Sequence, residues 1–163
     1  MEEIDDDAYQ RREVFSRYGL ALYHVQCVEK SLSILLSSVF NMDFLSSTPD
    51  VREKFFNQAF SMTLGQLINR LKQRITIHSE IQKDLLEALR KRNWLAHDYF
   101  YERSGELLTR SGRTRIIEEI TELSNFFNNL DIQLMGIVEK WSDKVGITTE
   151  VIDEGVRKLV QKV

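Results

Sequence analysis

The chain predicts an all-α fold, an antiparallel bundle of about five to six helices, two of them long. Two apolar stripes carry that reading. One runs through Val14, Tyr18, Ala21, Val25, Val28, Leu32, Leu35 and Val39, the other through Ile116, Ile120, Leu123, Phe127, Leu130, Leu134, Ile137 and Trp141. Both advance by alternating steps of four and three, the period of a helix face set against a partner. Breakers are scarce, with one proline and seven glycines in 163 residues, and no stretch alternates apolar and polar as a half-buried strand does.

The first stripe places a helix over Ala8–Phe40, with Gly19 costing it about 1 kcal/mol relative to alanine. His24 and Glu29 fall off the stripe and read as surface or interface residues. Asn41–Ser47 is a loop. Thr48-Pro49-Asp50 then opens a second helix, with threonine as N-cap and proline at the first position. Its phenylalanines, Phe55, Phe56 and Phe60, read as core packing. Thr63-Leu64-Gly65-Gln66 has the form of a capping box and opens a third helix through Leu67, Ile68, Leu71 and Ile75. His78 reads as a loop residue, and Ser79-Glu80-Ile81-Gln82 is a second box that opens a fourth helix. Between Arg103-Ser104-Gly105 and Ser111-Gly112-Arg113 the pattern breaks into a polar loop, with Leu107 and Leu108 in a turn or an extended pair. The second long helix follows and ends at Val145-Gly146. A terminal amphipathic helix is expected after Thr149, with Ile152, Val156, Leu159, Val160 and Val163 on one face.

At 42% hydrophobic and 29% charged the composition is that of a globular chain, and residues 1–163 read as a single domain. Residues 1–7 read as an acidic, frayed and solvated leader. A formal charge of −3 excludes a uniformly basic nucleic-acid binder. The charge is uneven, however: Arg90, Lys91, Arg92, Arg103, Arg110, Arg113 and Arg115 form a local basic surplus. Cys27 stands alone, which leaves no disulfide frame and no cysteine-based zinc site and suits a reducing compartment. The acidic start is unlike a signal peptide, and no apolar run reaches the ~18 residues of a membrane span. The expectation is a cytoplasmic chain with no membrane partner.

The chemistry concentrates in Leu89–Tyr101, LRKRNWLAHDYFY. Ile81, Leu85, Ala88, Leu89, Leu95, Ala96 and Tyr99 make an apolar stripe, and Arg92 falls along its centre. A lone arginine there snorkels or meets a core carboxylate. Here Asn93 and His97 stand within two turns of it. No phosphate loop, dinucleotide fingerprint, H-E-x-x-H or serine-nucleophile motif is present, and no metal ligand set or cofactor is expected. Glu118, Glu119 and Glu122 read as solvated.

Arg92-Asn93-Trp94-Leu95-Ala96-His97 resembles the R-x4-H signature of the HEPN superfamily, small helical proteins many of which are ribonucleases. The continuation His97-Asp98-Tyr99 resembles the R-x4-H-x-Y form of HEPN toxins paired with MNT nucleotidyltransferase antitoxins. The resemblance covers eight residues and implies a metal-independent endoribonuclease with Arg92 and His97 as catalysts and Asn93 and Tyr99 supporting them. Imidazole titrates near neutrality, so His97 can take the proton from a ribose 2′-hydroxyl and return one to the leaving oxygen. The guanidinium of Arg92 stabilises the added negative charge of the phosphorane-like transition state, and Arg90, Lys91 and Arg103 supply further phosphate contacts. The products would be a 2′,3′-cyclic phosphate and a 5′-hydroxyl. Positions 92 and 97 diverge by about 140° on an ideal helix, which a two-fold dimer with facing motif helices would correct. The expected partners are RNA, a second copy of the chain, and an MNT-type antitoxin that adds AMP to Tyr99. A non-catalytic dimerisation or nucleotide-binding module is the alternative.

Overall fold

The computed structural model describes residues 6–74 and 79–147. Among them are helices α1 (Asp6–Ser37), α2 (Pro49–Phe60), α3 (Leu64–Arg74), α4 (Ser79–His97), α5 (Tyr99–Glu102), α6 (Ser104–Leu107) and α7 (Arg110–Val145), and no strand. Residues 1–5, Ile75, His78, the side chains of Ser79 and Glu80 and the terminal helix expected after Thr149 lie outside the described residues.

The two stripes form the core. Val14, Ala21, Val25, Val28, Leu32 and Leu35 of α1 are buried against Ile116, Ile120, Leu123, Phe127, Leu130 and Leu134 of α7. Full burial of each large aliphatic or aromatic side chain is worth about 1.5–3 kcal/mol. Between the long helices the polar contacts keep step. Gln10 Nε2 lies 3.4 Å from Thr114 Oγ1, His24 Nδ1 lies 2.9 Å from Ser124 Oγ, and the Ser31 hydroxyl donates to Asp131. Advancing along α1 therefore advances along α7, and the two run parallel. α4 runs against both: Tyr18 meets Leu95 while Glu29 meets Arg92, and Lys91 lies over Phe126 while Tyr99 meets Glu119. The helical bundle stands, but its longest pair is not antiparallel. Matching stripes establish that two helices share a core and leave their relative direction open. The single return through α4 sets it.

α1 opens earlier than Ala8. Asp6 and Asp7 fill its first turn, where carboxylates face unpaired helix N–H groups, and they pair with Arg110 and Arg113 of α7. These two residues of the expected leader are folded. Thr48 stands at the head of α2 with extended backbone, φ −70° and ψ 160°, yet its side chain makes no capping bond. The Thr63 box is complete: Thr63 N–H donates to Gln66 Oε1 (2.9 Å) and Gln66 N–H to Thr63 Oγ1 (3.4 Å). Aromatic packing at this end centres on Phe44, a buried loop residue against Phe56 and Trp141, rather than on the α2 phenylalanines, of which Phe60 is exposed.

The expected polar loop after Tyr101 is helical. Two single turns, α5 and α6, lead into α7, whose N-cap Thr109 accepts from Gly112 N–H at 3.1 Å. Gly112 is no breaker. A Cβ there would lie 2.1 Å from the Glu106 carbonyl oxygen, so glycine lets α6 press against α7. Beside it Arg113 is 1% exposed, bonded to Asp7, to Gln10 Oε1 (3.2 Å) and to the Leu107 carbonyl (3.0 Å). At the other end Gly146, with φ 75°, closes α7 as a left-handed cap.

Candidate functional site

α4 presents the motif by its register. Leu85, Ala88 and Leu95 are buried, Arg92 turns toward α1, and Asn93 and His97 stand exposed. The helix stops at His97, since Asp98 departs from helical backbone (φ −121°, ψ −19°). Stopping there leaves the carbonyls of the last turn without helix partners. The Tyr18 hydroxyl of α1 donates to one of them, Leu95, at 2.7 Å. His97 is thus the final residue of a helix end pinned from a neighbouring helix.

Arg92 meets a carboxylate. Its Nε lies 3.5 Å from Glu29 Oε1, and its Nη1 donates to Asn93 Oδ1 at 3.2 Å. Glu29, expected at the surface or in an interface, is partly buried between α1 and α4, and its Oε1 has no hydrogen-bond partner among the described residues. The pair lies in a groove of about 160 Å³ between α1 and α4, also lined by Leu22, Val25, Gln26 and Ala96. No hydrogen bond joins Arg92 to His97 among the described residues: Arg92 is turned to Glu29 of α1, and His97 stands exposed at the helix end.

Tyr99 is 1% exposed. Its hydroxyl donates to Glu119 Oε2 (3.0 Å), which also accepts from Arg103 Nε (2.9 Å), while Arg103 Nη2 donates to Glu119 Oε1 (2.7 Å). The Arg103 guanidinium stacks over Trp94 and Tyr99, and Trp94 Nε1 donates to Glu102 Oε2 at 2.9 Å. Burial, then the charge of Glu119, pushes the Tyr99 hydroxyl well above the ordinary tyrosine value. The Arg103 hydrogen bonds hold Glu119 below the usual carboxylate range. Glu119 is therefore the hub of a partly buried network and not a solvated side chain.

Folding also answers the basic surplus. Arg90 and Lys91 pair with Glu87 at 2.6 and 3.2 Å. Arg103 pairs with Glu119 at 2.7 Å and Arg115 with Glu106 at 3.2 Å, while Arg110 and Arg113 hold Asp6 and Asp7. Hydrogen bonds from Arg90, with help from Lys91, bring Glu87 down to about 2. Among the described residues each Arg and Lys of the surplus has a carboxylate partner. Counting charges along the chain missed acids that arrive from α1 and α7. Among the candidate phosphate contacts, Arg103 is committed to Glu119, whereas Arg90 is exposed and its pair is weakened by solvent.

Residues that sequence reasoning passed over are Tyr18, Glu29 and Glu119. Glu29 carried a signal: Leu22, Gln26 and Glu29 step by four and three beside the core stripe, toward α4. Among the described residues no group of three or more His, Cys, Asp or Glu side chains is placed to hold a metal ion, and no helix is long and apolar enough to cross a membrane. The chain matches no protein-family model, no curated protein and no solved structure.

Proposed function

We propose that the chain is a HEPN-type, metal-independent endoribonuclease that acts as a homodimer. One observation carries the reading. An exposed imidazole with no hydrogen bond among the described residues ends the same helix on which a partly exposed arginine is held by a single loose ion pair. The exposed imidazole makes no hydrogen bond that explains it, and the Arg92 contact at 3.5 Å is too long for a good hydrogen bond. His97 serves as general base and acid on the ribose 2′-hydroxyl and the leaving oxygen, Arg92 stabilises the negative charge on the non-bridging phosphate oxygens, and Asn93 fixes the guanidinium through its Oδ1.

The divergence of Arg92 and His97 within one chain favours a site shared between two copies. Phe15 and Gly19 of α1 are exposed, and Leu22, partly so, shares the groove with Arg92 and the exposed Ala96. An apolar face with small residues allows a second backbone to approach closely. A toxin–antitoxin or phage-defence role, with an MNT-type antitoxin as partner, belongs to this reading. Adding AMP to Tyr99 would first require its hydroxyl to leave Glu119. The alternative, a non-catalytic dimerisation or nucleotide-binding module, draws its support from the pairing of each arginine and lysine between Arg90 and Arg115 with an acid.

The test is cleavage of single-stranded RNA in EDTA. Wild type should cut and leave a cyclic phosphate. His97→Ala should lower the rate by about 10²-fold or more, with an unchanged melting temperature because the ring is exposed. Cleavage that depends on added magnesium would overturn the mechanism.

A further inference from the structure

The ion pair between Glu29 and Arg92 is an unusual piece of internal glue. At 3.5 Å it is too long for a good hydrogen bond, and it leaves Glu29 Oε1 buried without a donor among the described residues. A partly exposed pair of this kind contributes only about 0–1 kcal/mol to stability. It does more to the guanidinium than to the fold. Glu29 and Arg92 are the charged groups lining the groove between α1 and α4, whose other walls are Leu22, Val25, Gln26 and Ala96. The groove has room for several water molecules at about 30 Å³ each, and therefore for a tetrahedral anion.

We infer that Glu29 is a positioning residue that occupies the Arg92 guanidinium in the free chain and gives it up to an arriving phosphate group. The inference rests on the ribonuclease reading insofar as Arg92 is taken as the phosphate-binding group. Glu29 holds the side chain in the groove, where it would otherwise sweep through solvent. It also opposes the anion twice, by satisfying the cation and by presenting a like charge. The looseness of the contact is what makes exchange feasible, because no strong hydrogen bond has to break. The paired N–H groups of the guanidinium favour an anion whose oxygens can accept two bonds at once, as phosphate does.

The experiment titrates the isotope-labelled protein with inorganic phosphate and follows the Arg92 Nε–H resonance. Glu29→Gln keeps the shape and removes the charge, so half-saturation should occur at about five-fold lower phosphate than in wild type, a change on the order of 1 kcal/mol. Glu29→Met, also of similar length, should give the same direction should the glutamine variant prove unstable. Glu122→Gln, exposed on α7 and outside the groove, removes an equal charge and should leave the midpoint unchanged. A midpoint in Glu29→Gln within two-fold of wild type, or an equal shift in Glu122→Gln, overturns the inference. No RNA is involved, so a chain that shows the shift yet cuts no RNA retains Glu29 in this role and loses the ribonuclease. A resonance that ignores phosphate in each variant overturns both.

Discussion

Glu119 joins two side chains through three hydrogen bonds in a partly buried place. Its carboxylate takes the Tyr99 hydroxyl and both arms of Arg103. Glu119→Gln should cost about 1 kcal/mol at neutral pH, discounted for the exposure of the pair. The acid limb should change as well. A carboxylate depressed in the folded state contributes stability above the unfolded value and loses it as pH falls through the folded one. Wild type should therefore lose stability below about pH 4.5, the ordinary glutamate value, and the glutamine variant should lose less. Chemical denaturation at pH 7 and pH 3.5 checks both statements. Gly112 supplies the contrasting case of a residue required for what it lacks. Gly112→Ala drives a methyl into the Glu106 carbonyl and should destabilise by about 3 kcal/mol, because backbone must move and no side chain can swing aside. A melting temperature within 2 °C of wild type would contradict that packing.

Helix ends are where sequence and structure part company. The interiors of α1 and α7 were legible, since a stripe of four-and-three steps is sampled many times over and one misfit does not erase it. The Thr63–Gln66 box and the Gly146 cap were legible too, because their chemistry is local. The break after His97 was not, since its support comes from Tyr18, about eighty residues away, and no local residue marks it. Segment 103–112 misled for a related reason. Its glycines and serines carry turn propensity, but a buried Arg113 and a close α6–α7 contact override it. Of the candidate site, the positions of Arg92, Asn93 and His97 on one helix could be read directly. Glu87 could be read too, three and four positions before Arg90 and Lys91, but Glu29, Glu119, Asp6 and Asp7 could not, because they come from other helices. Thr109 was likewise passed over as part of a loop. Thr109→Ala should remove the bond to Gly112 N–H and cost about 1 kcal/mol, read as a lower melting temperature with unchanged helix content.

For the whole molecule the shared site makes a prediction about a second copy. If Arg92 of one chain acts with His97 of the other, a heterodimer of Arg92→Ala and His97→Ala chains holds one doubly defective site and one intact site. Mixing the two inactive variants under subunit exchange should restore up to about half the activity per heterodimer. A monomer by light scattering at micromolar concentration would end the shared-site account. A confirmed dimer with no recovery would place both residues in one chain, where the helix end at His97 is the point able to turn the imidazole.

The parallel course of α1 and α7 also has a temporal side. Partners such as Ser31 and Asp131, or His24 and Ser124, are separated by 100 positions along the chain. During synthesis at ~5–20 residues per second, the apolar face of α1 therefore waits roughly 5–20 s for the surface that covers it. For that interval the nascent chain offers α2, α3 and α4 as partial shelter, and its longest greasy stripe is open to chaperones, to neighbouring ribosomes and to other copies of itself.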